Sequence, residues 1–133
     1  MLGDSRIFYS RDEAVYDIPD HSLSHEYALD LPRLEDMGAQ IIKSQNGSYY
    51  VGKNGQYLAM SRRFGDDSFG ELVVTEPDFY LFEADAIVVT SDGFKGSKEV
   101  VKKILDKRGA ACDLLKWQMP DLDDNFTAIV AYE

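Results

Sequence analysis

The sequence has one cysteine, Cys112, and no apolar run long enough to cross a membrane. A single cysteine excludes a disulfide within the chain and favours a reducing, intracellular compartment, cytoplasmic or nuclear. Cys112 follows Gly109-Ala110-Ala111 and precedes Leu114-Leu115, so it reads as a small buried hydrophobe. Positive charge is also scarce. There are 14 Lys and Arg against 24 Asp and Glu, for a formal charge of −10. That balance excludes nucleic acid and anionic membranes as partners, since both need a net basic surface. It suits a protein that holds cations, and equally one kept soluble by its charge. The start, MLGDSRIFYS, lacks the basic and apolar segments and the cleavage site of a signal peptide.

No linker, repeat or low-complexity tract divides the 133 residues, a length suited to one domain with its own core. Ser5 to Tyr9 and Ala14 to Ile18 read as a hairpin around the polar turn Ser10-Arg11-Asp12-Glu13. The first strand begins so close to Met1 that further chain is expected before it. Tyr27 to Met37 has helical spacing, with Pro32 at the start of the helix proper and Gly38 at its end. Gln40 to Lys43, Tyr49 to Val51 and Tyr57 to Met60 read as strands joined at Asn46-Gly47 and Asn54-Gly55. Ser61 to Gly70 reads as loop. Strands are predicted at Leu72 to Val74, Phe79 to Phe82, Ala86 to Thr90 and Phe126 to Tyr132. Ser97 is placed to cap a helix with the stripe Val100, Val101, Ile104 and Leu105, closed by Gly109. A short helix over Ala110 to Trp117 follows. The whole implies an α+β fold, mainly antiparallel sheet with a few flanking helices.

Three acids stand where a strand meets a turn: Asp4 before the first strand, Asp92 after Ala86 to Thr90, and Asp124 before the last strand. Each has an ordinary reading as turn chemistry, Asp92-Gly93 and Asp124-Asn125 above all. Strand ends are also rigid platforms. Carboxylates held there can converge on Mg²⁺ or Mn²⁺, which take oxygen ligands and activate water for phosphoryl transfer. His21 and His25 are spaced for a metal on a helix, but no HExxH accompanies them, and His25 reads as surface.

The blocks GDSRIFYSRDEAVYDIPDH, LPRLEDMGAQII, YLAMSRRFGD, VVTEPDFYLFEADAIVVTSDG and DNFTAIVAYE occur in one order along nearly the whole chain. That order resembles the type 2C, metal-dependent protein serine/threonine phosphatases, and in particular the second half of their β-sandwich domain. The resemblance implies that Asp92 and Asp124 are metal ligands of a centre that holds two Mg²⁺ or Mn²⁺ ions in a complete domain. It implies supporting roles for Gly93 and for Asn125, which would fix its loop by hydrogen bonding. Asp4 matches an acid that in some members contacts a weaker third ion. Gly96 stands where the family carries another acid of that third site, which argues against it here. Ser61, Arg62, Gly65 and Asp66 match a block beside the active site and are assigned no catalytic role. Arg62 and Arg63 otherwise read as a solvated basic pair.

No DGHGG motif occurs in the chain, and the family's other amino-terminal ligands and phosphate-binding arginine have no match. Residues 1–133 therefore read as one partial phosphatase domain, its carboxy-terminal half, with no catalytic residue of its own beyond metal ligands. Two carboxylates alone should hold Mg²⁺ weakly, and turnover by this chain alone should be very poor. Three readings stand. The chain is a piece of a phosphatase acting on phosphoserine and phosphothreonine proteins through a metal-activated water, completed by a missing amino-terminal half. It is a catalytically inactive relative, a pseudophosphatase, used for protein binding. Or it is an unrelated small binding domain. A half sheet with open edges is also expected to self-associate.

Overall fold

The computed structural model describes residues 3–24, 28–65 and 67–133. Along the chain run β1 (Arg6–Arg11), β2 (Ala14–Ile18), α1 (Leu31–Asp36), β3 (Gln40–Lys43), β4 (Tyr49–Lys53), β5 (Gln56–Leu58), β6 (Ala86–Thr90), α2 (Lys98–Leu105), α3 (Ala111–Gln118) and β7 (Ala128–Tyr132). The fold is α+β, with two antiparallel sheets ordered β2-β1-β6-β7 and β3-β4-β5. Among the described residues no helix is long and apolar enough to cross a membrane. The chain divides into two compact units, one of Ser5–Pro19 with Leu81–Glu133, the other of Asp20–Tyr80 with the residues up to Asp4.

The first unit is built on the four-stranded sheet. The hairpin of β1 and β2 turns at Asp12-Glu13, where both φ angles are positive, 51° and 65°, as a tight two-residue turn requires. β6 is apolar on both faces and lies in the middle. Phe8 pairs with Val88, and Val88 with Val130. Phe8, Ala86 and Val88 face a core completed by Phe94, Val101, Leu105 and Leu114, so α2 and α3 cover this side. α2 buries the predicted stripe at Val101 and Leu105. Ser97 occupies its cap position without a side-chain cap bond to a backbone amide. The Ser97 hydrogen bond goes to Glu99 and is the main cause of that carboxyl's lowered pKa. The other side of the sheet carries Ile7, Tyr9, Ile87, Val89 and Ile129, and Ile129 is 62% exposed.

In the second unit, Leu23, Leu31, Leu34, Val51, Phe69 and Val73 form the core. α1 has Pro32 in its first turn. It ends before Gly38, whose φ of 69° an L side chain rarely adopts. Tyr27, the expected start of the helical pattern, lies outside the described residues, as do His25 and Asp66.

Four expectations need correction. Leu72 to Val74 makes no strand: Leu72 closes a 3-10 stretch over Asp67–Leu72, and Val74 makes one isolated bridge, to Arg62. Phe79 to Phe82 joins no ladder. Phe79 and Leu81 are almost fully exposed, and Phe82 instead stacks on Tyr9 with ring centroids 4.2 Å apart. Cys112 is exposed. Leu114 and Gln118, four apart, form the buried face of α3, and Cys112 stands two residues before Leu114, on another face. Arg62 is not solvated: its side chain is 16% exposed and ion-paired.

Candidate metal centre

β6 and β7 are antiparallel neighbours in a register that pairs Thr90 with Ala128. The chain leaving β6 and the chain entering β7 therefore emerge at one end of the sheet. Asp92 lies two residues past Thr90, and Asp124 four residues before Ala128. Both aspartates are exposed.

Backbone contacts and one hydroxyl fasten these two loops together. The Ser91 amide donates to the Thr127 carbonyl at 2.9 Å. The Ser91 Oγ donates to the Asn125 carbonyl at 3.1 Å and accepts from the Thr127 amide at 3.0 Å. Gly93 is buried against the other strand of this clasp. A Cβ built on it would lie 2.2 Å from the Asn125 carbonyl oxygen. So the Gly in Asp92-Gly93 serves close backbone approach rather than a positive φ. Asn125 acts through its main chain: its amide donates to Asp124 Oδ1 at 2.7 Å, and its carbonyl receives Ser91. Lys95 Nζ donates to the Asp92 main-chain carbonyl at 3.0 Å, bracing the turn.

The donor set fits a hard divalent cation in kind. Two carboxylates from neighbouring strand ends offer oxygen atoms, with solvent free to fill the remaining positions. It is small in number: among the described residues no group of three or more His, Cys, Asp or Glu is arranged to hold a metal. Gly96 has no room for the acid that a third site would use. A Cβ there would meet the Phe94 ring at 2.3 Å, and the Gly96 carbonyl accepts from Arg6 Nη1 at 2.6 Å. Asp4 is partly buried and belongs to the other unit.

Two groups escaped the sequence reading. Gln118, at the end of α3, is 1% exposed. Its Oε1 accepts from the Lys95 amide at 2.8 Å, and its Nε2 donates to the Asp121 carbonyl at 3.2 Å. A lone Gln in an amphipathic helix gives no sequence signal of this kind. In the other unit, Asp30 is 4% exposed and receives Arg62 Nε and Nη2 at 2.7 and 2.9 Å and the Ser61 hydroxyl at 2.7 Å. Arg62 Nη1 reaches Asp78 at 3.0 Å, and the fully buried His21 donates from Nε2 to Asp78 at 3.0 Å. Burial pushes the Asp30 pKa up, but the bonds and charges of Arg62, Ser61 and Arg33 outweigh it and hold the value at about 2. The bond from His21, with Arg62, likewise lowers Asp78. His21 thus anchors an ion-pair network, and Ser61 and Arg62 are cross-linked parts of it.

No protein-family model matches the chain. Over 139 aligned residues it is 32% identical to the probable protein phosphatase 2C 11 of Arabidopsis thaliana, covering 97% of this chain and 36% of that protein. Its fold is similar to the crystal structure of serine-threonine phosphatase 2C from Toxoplasma gondii, with a TM-score of 0.67 and 17% identity over 98% of this chain and 52% of that one. It is also similar to the structure of a C. elegans sex determining protein, with a TM-score of 0.74 and 19% identity over 98% and 35% of the two chains. At these identities the structures speak for the fold alone. The chain spans about a third of the length of the curated relative it matches.

Proposed function

We propose, for a chain that matches a fragment of a type 2C protein phosphatase in sequence and fold, that it supplies the Asp92 and Asp124 side of a divalent-metal phosphatase centre. The observation that carries this reading is the clasp between the loops. Ser91, Gly93 and Asn125 hold the two aspartate-bearing turns in backbone contact at one end of neighbouring strands.

Asp92 and Asp124 would hold Mg²⁺ or Mn²⁺. When bound, such an ion offsets phosphate charge and activates water for hydrolysis of a phosphoserine or phosphothreonine ester. This chain's residues orient the two carboxylates. The clasp fixes both turns before any ligand arrives, so little ordering remains at binding. Lys95 adds a positive charge near the turn through its bond to the Asp92 carbonyl. The remaining ligands, a phosphate-binding cation and a proton donor for the leaving hydroxyl are supplied by a complementary amino-terminal segment. The affinity of the two aspartates alone is correspondingly low.

Mn²⁺ titration of the 133-residue chain beside Asp92→Asn and Asp124→Asn tests the reading. Saturable binding that weakens at least tenfold in either variant, with circular dichroism unchanged, is the expected result. Equal binding by all three proteins, or none by the wild type, overturns the assignment of these two ligands. Co-expression with the amino-terminal part of a type 2C phosphatase should then yield Mn²⁺-dependent release of phosphate from phosphothreonine peptide. Metal binding without such release would favour the non-catalytic reading.

A further inference from the structure

We infer that Gln118 is a positioning residue for the metal edge, a splint whose carboxamide sets the placement of the Asp92 loop against the segment that leads to Asp124. The inference rests on the metal-centre reading for its purpose, and on the hydrogen bonds alone for its mechanics.

Gln118 is the last residue of α3 and lies four residues after Leu114, on the face that packs into the core. An apolar side chain would fill that place with no polar group to satisfy. A buried primary amide is costly unless both ends are bonded. Here both are, and neither bond is spent on the carbonyls of its own helix. The oxygen takes the amide of Lys95, three residues after Asp92. The nitrogen gives to the carbonyl of Asp121, three residues before Asp124. One side chain therefore ties together the flanks of both aspartate turns, on the side away from the Ser91 clasp. Phe94, next to Lys95 in the chain, is buried and edge-on to Phe8 and Trp117 with centroids 5.9 and 5.8 Å away. The clasp fixes the near ends of the loops, and the splint fixes the far ends. A planar amide with one donor end and one acceptor end is what this pairing needs.

The test uses the 133-residue chain with Gln118→Met, which keeps the length and loses both bonds, and Gln118→Glu, which keeps an acceptor for the Lys95 amide but has no donor for the Asp121 carbonyl. Amide hydrogen exchange by NMR reads the mechanics without metal. In Gln118→Met the Lys95 amide is expected to exchange at least tenfold faster, while amides of β1 and β6 keep their protection. Gln118→Glu should retain more of the Lys95 protection than Gln118→Met. Mn²⁺ titration reads the purpose: Gln118→Met should bind at least threefold more weakly, although neither ligand is altered.

Unchanged exchange at Lys95 in Gln118→Met overturns the splint. So does faster exchange throughout the sheet, which marks a merely structural core residue. If Gln118→Met does not fold, Gln118→Glu carries the comparison, and exchange at the amides around Asp121 no faster than in wild type, with unchanged Mn²⁺ affinity, overturns the inference. Absence of Mn²⁺ binding by the wild type sinks the metal-centre reading and its use of Gln118. The exchange result then decides the tie by itself.

Discussion

Gly93 and Asn125 meet backbone to backbone, so closely that a methyl group on Gly93 would overlap the Asn125 carbonyl oxygen. The contact joins the turn after β6 to the turn before β7, and it explains why a glycine must follow Asp92 although its φ is not positive. Gly93→Ala should therefore force the two turns apart. The expected loss is about 1–3 kcal/mol of stability, the usual cost of overpacking. Urea unfolding measures it, and Mn²⁺ titration of the same variant should show weakened binding although neither Asp92 nor Asp124 is altered.

The Asp30 network predicts a response to acid. Its folded pKa is about 2, below the roughly 3.9 of an unfolded aspartate. A depressed carboxyl stabilises the fold fully above the unfolded value, and that contribution is lost as pH falls from about 5 towards 2. The difference between the two pKa values corresponds to roughly 2–3 kcal/mol. Asp30→Asn should flatten the stability profile between those pH values, as read from urea midpoints. Arg62→Leu should be worse than Asp30→Asn at neutral pH, by leaving a buried carboxylate without its main partner; breaking such a pair costs about 3–5 kcal/mol.

The two faces of the four-stranded sheet should answer differently to substitution. Val88 is fully buried beneath the helices, so Val88→Ala should cost about 1–3 kcal/mol. Ile129 lies one residue from Val88's partner Val130 and is 62% exposed. Ile129→Lys should change thermal stability by no more than about 0.5 kcal/mol, and it should lower the binding of a hydrophobic dye.

Cys112 offers a direct check on the orientation of α3. The thiol is exposed, so Ellman's reagent should titrate one thiol per chain in the native protein without a lag. A thiol that reacts only after denaturant is added would place α3 with its other face inward.

The sequence patterns carried the sheets well and the polar interior badly. The two short runs around the polar turn of β1 and β2, the apolar run of β6 and the stripe on α2 are local signals, and such signals follow from burial. The order of the motif blocks led to the phosphatase family, which the curated relative bears out. Phe79 to Phe82 misled because an aromatic run was read as a strand, whereas Phe82 stacks a ring and Leu81 meets solvent. Arg62 misled because a pair of adjacent arginines looks solvated; its partners Asp30 and Asp78 lie far away in the chain. Gln118 was invisible for a similar reason: its partners are main-chain groups, Lys95 in a loop and Asp121 in the short 3-10 helix after α3, and neither leaves a periodic signal. Asp92 and Asp124 were singled out as candidates by strand-end position and motif, while the clasp between their turns required coordinates.

The hairpin of β1 and β2 is synthesised well before β6, the strand that flanks β1 on its other side through the pairing of Phe8 with Val88. On a ribosome adding about 5–20 residues per second, the edge of β1 waits roughly 4–16 s for that partner. Through that interval a nascent hairpin presents Ile7, Phe8 and Tyr9 without β6 beside them. The four-stranded sheet therefore cannot close before β6 is made, whatever the stability of the hairpin.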